Sequence, residues 1–300
     1  MGTPEIARLC LERIVRAGHE IVGVYTKPDM PKNRGMKLMQ SEVKQYAVSE
    51  SLPVFQPTTF RDEAVVKELS ALAPELIVVV AYGKILPQSV LDIPKFGCIN
   101  MHASVLPKLR GAGPVQWAIL NHFTETGVTA MYLSAGMDEG DIISVEKTAI
   151  DPEETAEELL TRLSEIAANL SVRTIEAIAN GTATRTPQNA DEATYAPMLT
   201  KDLCPIDWMK PASFVRDQVR GLNPWPVATA ELAGTRFKIY SVQPTDHKTD
   251  AAPGTILQLT KQGLEVACGM GESVIVMQLQ AEGGKRMAAP DYFRGHPLTL

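Results

Sequence analysis

Asn100 and His102 stand two residues apart in a short apolar segment that runs from Cys98 to His102. Residues two apart on a β-strand point to the same face, so this spacing predicts an amide and an imidazole side by side. Core strands seldom carry polar side chains, because a polar group buried without a partner costs free energy. In an open parallel sheet, ligands bind at the carboxyl ends of the strands, which is where this pair would lie.

An acidic loop, from Gly136 to Asp141, is predicted downstream between two further strands. We expect Asp138 of this loop to reach back to His102. An amide and an imidazolium can stabilise the oxyanion of a tetrahedral intermediate, and a neighbouring carboxylate favours the charged imidazole and relays a proton through water. The trio therefore fits acyl transfer without a covalent intermediate. From spacing alone, a hydrogen-bonded strand-end pair with an ordinary turn aspartate remains open as the alternative.

The glycines that follow His102 do not form a nucleotide-binding fingerprint. Gly111 and Gly113 lack a third glycine at the right offset, and Pro114 occupies the turn. The four cysteines are far apart and form no C-x-x-C pair, so we expect free thiols, a cytoplasmic protein and no metal site. The longest apolar run is too short to span a membrane, and the first residues have no signal-peptide pattern.

The net charge of −6 argues only weakly against nucleic acid as a partner, because the charge is unevenly distributed. Residues 201–300 hold 11 basic and 10 acidic side chains, whereas residues 1–200 hold 18 and 25. Within the acidic part, the segment from Lys27 to Lys44 carries five basic residues against Asp29 and Glu42. Charge alone favours the interpretation of this segment as a solvated basic loop.

Strand-like and helix-like segments alternate over the first 150 residues, which predicts an α/β domain with a doubly wound, mostly parallel sheet. Thr3 is predicted to cap a helix that runs to about Arg16. The catalytic domain is predicted to span residues 1–181, and the polar segment 182–203 is interpreted as a linker. Residues 204–300 contain short strands separated by Gly and Pro, which is typical of a small β-barrel.

Several motifs resemble those of the 10-formyltetrahydrofolate-dependent formyltransferases: the segments from Gly97 to Pro107, from Glu125 to Thr129 and from Gly136 to Asp141. Further segments resemble the members of this family that act on methionyl initiator tRNA, namely Lys27 to Leu38, Val78 to Pro87, Ile206 to Trp208 and Asn223 to Pro226. The resemblance covers essentially residues 1–285. It implies a Rossmann-like catalytic domain followed by an OB-like barrel that binds tRNA.

The resemblance also implies transfer of a formyl group from 10-formyltetrahydrofolate to the α-amino group of the methionine carried by the tRNA. Asn100 and His102 match the residues that hold the oxyanion, and Asp138 matches the residue that holds His102 and assists proton transfer. Folate contacts are matched by Ser104, Val105, Leu106, Pro107, Val79, Ala81, Tyr82 and Gly136. Contacts to tRNA are matched by Lys32, Arg34 and Lys37. The expected protein is a cytoplasmic monomer that uses no metal and supports translation initiation.

The departures from the family include Ala103, Val105, Met198 and the start of the chain. Ala103 stands where the family has glycine, and the added methyl group matters only if the backbone there needs a positive φ. The family also begins with an apolar strand before the turn formed here by Gly2, Thr3 and Pro4. We therefore expect the first strand to be absent, which would deprive its neighbours of ladder partners and lower stability.

Two alternatives remain open. One is an enzyme with the same catalytic half that formylates a sugar nucleotide or hydrolyses 10-formyltetrahydrofolate, although the basic loop and the C-terminal half argue against it. The other is a non-catalytic protein that binds tRNA or folate. The intact Asn100, His102 and Asp138 argue against this second alternative.

Overall fold

The computed structural model describes residues 1–32 and 37–298. Within these residues the helices are α1 (Glu5–Arg16), α2 (Glu42–Ser49), α3 (Glu63–Ala71), α4 (Gln88–Leu91), α5 (Pro114–Leu120), α6 (Ala156–Ala179), α7 (Ala212–Gly221) and α8 (Ala289–Gly295). The strands are β1 (Val24–Tyr25), β2 (Met30–Lys32), β3 (Lys37–Met39), β4 (Val54–Phe55), β5 (Ile77–Val79), β6 (Cys98–His102), β7 (Glu125–Tyr132), β8 (Ile142–Ala149), β9 (Ala228–Leu232), β10 (Thr235–Pro244), β11 (Ile256–Leu259), β12 (Leu264–Ala267), β13 (Ser273–Ala281) and β14 (Met287–Ala288).

The chain divides into two compact units. The first comprises Met1–Pro114, Glu125–Ala149 and Leu160–Ala196, and the second comprises Val115–Thr124, Ile150–Leu159 and Pro197–Leu300. Most of the segment interpreted as a linker, residues 182–196, thus belongs to the first unit by its contacts. The predicted domain boundaries at 181 and 203 remain a prediction.

The first unit is built on a sheet in the order β5-β6-β7-β8. β5 and β6 run parallel, and β7 and β8 extend the sheet antiparallel. β1 and β4 form a second parallel pair. The first two residues join that pair to β5, because Gly2 donates its N–H to the Tyr25 carbonyl and Val80 donates its N–H to the Met1 carbonyl. Strands and helices alternate along this unit, which confirms the predicted α/β class.

Met1 and Gly2 lie beside β5 in the place predicted to lack a strand, and Gly2 forms a parallel bridge with Val80. A cavity of about 400 Å³ adjoins them, with mostly apolar lining residues from α1, β1, β5 and α6 that include Ala7, Cys10, Val24 and Ile178. The two residues supply some of the ladder hydrogen bonds that β1 and β5 would otherwise lack.

The predicted cap of α1 is wrong. Pro4, and not Thr3, occupies the N-cap position, and no side chain caps the helix. The Thr3 hydroxyl instead donates to the Tyr82 carbonyl oxygen over 3.5 Å. α1 therefore depends on its buried apolar face, which includes Ile6, Cys10 and Ile14.

The second unit contains an antiparallel sheet in the order β11-β12-β13-β10-β9, with β14 paired to β13. The β-rich character predicted for this part is confirmed, whereas closure into a barrel remains a prediction. The register between β10 and β13 shifts on both sides of Ser241. Burial on β13 accordingly passes from Val276 to Leu279, so the alternation of buried side chains is interrupted at the bulge.

Candidate active site

Asn100 and His102 lie on one face of β6, an inner strand of the sheet in the first unit. Asn100 pairs with Val79 of β5 and Met131 of β7, and His102 pairs with Thr129 of β7. Asn100 is thus paired on both sides and His102 on one, so both side chains are carried on a strand held by its neighbours. The predicted strand from Cys98 to His102 is confirmed at both ends.

The imidazole of His102 is buried and has an oxygen acceptor at each nitrogen. Its Nε2 donates to the Leu109 carbonyl oxygen over 2.9 Å. Its Nδ1 lies 3.5 Å from Oδ2 of Asp138, beyond the usual length of a hydrogen bond but within ion-pair range. The expected reach of Asp138 towards His102 is therefore seen.

Asp138 is held in an uncommon backbone conformation, with φ at 53°. Left-handed φ values cost free energy for non-glycine residues and persist where the surroundings impose them. The Gly111 N–H donates to Oδ2 of Asp138 over 2.9 Å, so the same oxygen that faces His102 is fixed from the other side. The loop thus presents one carboxylate oxygen to the imidazole.

Gly111 bonds the Asp138 carboxylate, although it belongs to no nucleotide-binding glycine pattern. Its φ is 116°, and a Cβ there would lie 2.8 Å from the Ala196 carbonyl oxygen, so only glycine fits without strain. No local pattern predicts this hydrogen bond, because its partner, Asp138, is distant in sequence. Ala103, by contrast, is not among the residues with positive φ, so its methyl group fits the backbone.

The amide of Asn100 is half-buried and has no hydrogen-bond partner within the described part of the chain. A half-buried amide retains two N–H donors that can be offered to a ligand. It stands on the same strand face as His102. The pair can therefore donate to an oxygen placed above the strand.

The segment from Ser104 to Pro107 is fixed by its own hydrogen bonds and by β7. The Thr129 hydroxyl donates to the Ser104 carbonyl over 2.7 Å and accepts from the Leu106 N–H over 3.1 Å. Ser104 and Leu106 are buried, which leaves Val105 and Pro107 as the partly exposed members. If this segment contacts a ligand, those two side chains are the ones available to it.

The other residues matched to folate contacts occupy two regions. The side chains of Val79 and Tyr82 pack in an apolar cluster, where the ring of Tyr82 meets Phe60 edge-on. Burial raises the pKa of Tyr82 to about 12, and its hydroxyl has no partner within the described residues. Ala81 is exposed with φ at 45°, and Gly136 lies in the Asp138 loop.

The basic loop is described only in part. Arg34 lies outside the described residues, and Lys32 and Lys37 are described by their backbones, which pair across the hairpin of β2 and β3. Lys44 is neutralised, because its ammonium group donates to Asp29 over 2.6 Å. Hydrogen bonds from Lys44 and Gln56 hold the pKa of Asp29 below its usual value. The loop therefore offers less free positive charge than its composition predicted.

Over residues 1–32 and 37–298, we find no group of three or more His, Cys, Asp or Glu side chains arranged to hold a metal ion. In the same residues no helix combines the length and apolar character needed to cross a membrane. The cysteines are free and buried.

Comparison with known protein families identifies the class to which the chain belongs. Residues 1–175 match the family described as formyl transferase, and residues 198–297 match the formyl transferase C-terminal domain. The chain therefore belongs to the formyl transferase family.

Its relatives include enzymes named methionyl-tRNA formyltransferase. That of Alkaliphilus oremlandii is 46% identical over 99% of this chain and 96% of its own length, and that of Moorella thermoacetica is 44% identical over 100% and 96%. Among solved structures, an N-formyltransferase from Helicobacter canadensis in complex with folinic acid and dTDP-3-aminofucose has a TM-score of 0.69 at 21% identity, covering 92% of this chain and 96% of its own. At that identity the structural likeness supports the fold alone.

Proposed function

We propose that this chain transfers a formyl group from 10-formyltetrahydrofolate to the α-amino group of methionyl initiator tRNA. The observation that carries the chemistry is the buried His102 with acceptors at both nitrogens, beside the unpartnered amide of Asn100. The choice of substrate is supported by relatives of that name which match over nearly the whole chain.

In this reaction the methionine nitrogen bonds to the formyl carbon while the bond from that carbon to the folate nitrogen breaks. The folate supplies the formyl group and takes up one proton as the amine loses one. The Asn100 amide and the Nδ1 proton of His102 stabilise the oxyanion that develops. The 3.5 Å separation from Asp138 leaves that Nδ1 proton only weakly bonded, so a substrate oxygen can share it. Asp138 holds the imidazole in place and accepts the amine proton through water.

We assign the first folate contact to the partly exposed side chains of Val105 and Pro107. Ser104 and Leu106 fix the backbone of this segment. The exposed Ala81 and the Gly136 loop form the second, and there Val79 and Tyr82 act through their backbones because their side chains are buried. The tRNA is assigned to Lys32, Arg34, Lys37 and the C-terminal domain, from residue 204 onwards. The enzyme is expected to act as a cytoplasmic monomer.

The test supplies 10-formyltetrahydrofolate with methionyl initiator tRNA, with an amino sugar nucleotide, or with water alone, and follows the formyl group. We expect formyl-methionyl-tRNA as the main product. Formylation of the sugar nucleotide, or release of formate at a comparable rate, would replace the tRNA assignment. A folded protein that binds tRNA but transfers no formyl group would leave only the binding role.

The basic loop is tested separately by salt dependence. Phosphate contacts give a binding constant that falls steeply with salt concentration, and each lost contact makes the slope shallower. Arg34→Ala should weaken use of methionyl-tRNA strongly, because a guanidinium can grip phosphate at two points, while folate affinity stays unchanged. The triple variant with alanine at Lys32, Arg34 and Lys37 should show a shallower slope. Normal use of tRNA with the wild-type slope would mean that this segment is a solvated basic loop that does not contact tRNA.

A further inference from the structure

A polar segment runs along the first unit from Thr186 to Ala196 and is called the strap here. Thr186 exchanges two backbone hydrogen bonds with Ile142, at the start of β8. At its other end, Ala196 donates to the Arg110 carbonyl over 2.7 Å and accepts from the Gly113 N–H over 3.1 Å. The strap is therefore fastened at one end to the first residue of β8, directly after the Asp138 loop, and at the other end to the loop that contains Arg110.

Gln188 lies between these ends, and its amide is fully used. Its Nε2 donates to the backbone carbonyls of Asp138 and Gly140, each over 2.8 Å. Its Oε1 accepts from Nε and Nη2 of Arg110, over 3.1 and 2.8 Å. Four hydrogen bonds thus join the Asp138 loop to the Arg110 loop through one side chain.

Both loops that Gln188 joins supply the partners of His102. The residue before Arg110 provides the carbonyl that accepts from His102 Nε2, and the residue after it provides the N–H that fixes Asp138 Oδ2. On the other side, Gln188 bonds the carbonyl of Asp138 itself, whose φ of 53° needs an external restraint. The guanidinium of Arg110 is buried, with Glu139 Oε1 3.9 Å from its Nη1.

We propose that Gln188 is a positioning residue for formyl transfer, which sets the Asp138 carboxylate against His102 by clamping the carbonyl of Asp138 to Arg110. The inference rests on the proposed function for its kinetic consequence, but the clamp itself is a property of the fold. A displacement of about 1 Å in a reacting group can cost on the order of 100-fold in rate. Substrate binding should change little, because Gln188 is assigned no contact with either substrate.

The sharpest variant is Gln188→Glu. A glutamate keeps oxygens for the Arg110 guanidinium, so the strap stays anchored, but it has no N–H to donate to the carbonyls of Asp138 and Gly140. The matched control is Asn189→Asp, which places the same added charge on the next residue. Asn189 is exposed, and its side chain bonds only within the strap, to Asp191 and Glu192.

Steady-state kinetics and amide hydrogen exchange of Gly111 are measured on wild type and both variants. We expect Gln188→Glu to lower kcat about 10- to 100-fold with KM within about twofold. The Gly111 amide, which is bonded to Asp138, should exchange faster in this variant, and Asn189→Asp should match wild type in both readouts. Wild-type kcat in Gln188→Glu, or an equal loss in Asn189→Asp, would overturn the inference.

A failure of the proposed function can be told apart from a failure of this inference. If the wild type transfers no formyl group to tRNA, the proposed function fails, and the exchange of the Gly111 amide still decides the clamp. Faster exchange in Gln188→Glu alone supports positioning of Asp138 by Gln188, and unchanged exchange overturns it.

Discussion

Among residues 1–32 and 37–298 there are two histidine–aspartate pairs, one in each unit, and they are built in opposite ways. His102 and Asp138 lie 3.5 Å apart, and Oδ2 of that carboxylate takes one backbone N–H, from Gly111. In the second unit, His122 Nδ1 lies 2.7 Å from Oδ2 of Asp217. The His122 ring also packs on Phe214 with 3.7 Å between ring centroids. The first pair has bonding capacity left for a substrate, and the second has little.

The carboxylate of the second pair is saturated by charge-assisted hydrogen bonds. Arg220 and Arg216 donate to Oδ1 of Asp217 over 2.7 and 3.1 Å. Burial alone would raise the pKa of Asp217, but the hydrogen bonds from His122 and Arg220 outweigh it and hold the pKa below its usual value of 3.8. Arg220 also donates to the carbonyls of Asp151 and Glu154, which fastens that segment within the second unit. A His–Asp pair alone therefore does not mark an active site.

The largest expected effect is on the rate of formyl transfer, when the residues around the His102–Asp138 pair are replaced. Asn100→Ala, His102→Ala and Asp138→Ala should each lower kcat by about 100- to 1,000-fold, because each removes a group that stabilises developing charge or holds one that does. Affinity for tRNA should stay nearly unchanged, as should thermal stability. Kinetics with purified variants and a melting curve measure both. A folded variant with near-wild-type turnover would remove that residue from the mechanism.

Replacing Asp217 of the His122–Asp217 pair should lower stability and leave the rate of formyl transfer unchanged. Asp217→Asn keeps the shape but loses the charge that strengthens the hydrogen bonds from His122 and Arg220, so unfolding free energy should fall by about 2 kcal/mol. The activity of the folded fraction should not change. Chemical denaturation measures the loss, with the exposed Asp246→Asn as a control that should cost little. A drop in kcat comparable with that of Asp138→Ala would erase the contrast between the pairs.

The stabilisation by Asp217 should also depend on pH in a defined direction. Its pKa is lower in the folded state than the usual 3.8, so its contribution is fully present above the unfolded value and is lost as pH falls through the folded value. The stability difference between wild type and Asp217→Asn should therefore be constant near pH 6 and shrink below about pH 4. Denaturation at a series of pH values measures it, and a difference that grows on acidification would contradict the assigned cause.

Features set by local sequence could be predicted, whereas features set by contacts between distant segments could not. The strand that carries Asn100 and His102, and the loop that carries Asp138, follow from local pattern, because alternation and turn residues are short-range signals. The clamp by Gln188 does not, since it joins three segments far apart in sequence and its own surroundings have no periodicity. The interrupted alternation on β13 could not be predicted either, because the bulge depends on the pairing with β10.

The 3.5 Å separation at His102 has a competing explanation, namely that the first unit is loosely packed around its cavity of about 400 Å³. Adding about five apolar residues before Met1, a typical strand length, would extend the ladder beside Val78 and fill this space. The gain should be small, about 1 kcal/mol or a few degrees in Tm.

If the separation between His102 and Asp138 is set by the site itself, the extended chain should melt at a higher temperature with kcat unchanged. A rise in both melting temperature and kcat would mean that the spacing reflects poor packing. Equal stability of the two chains would show that Met1 and Gly2 already satisfy the ladder beside β5. Because Gln188 and Gly111 fix Asp138 independently of the cavity, we expect the two quantities to separate.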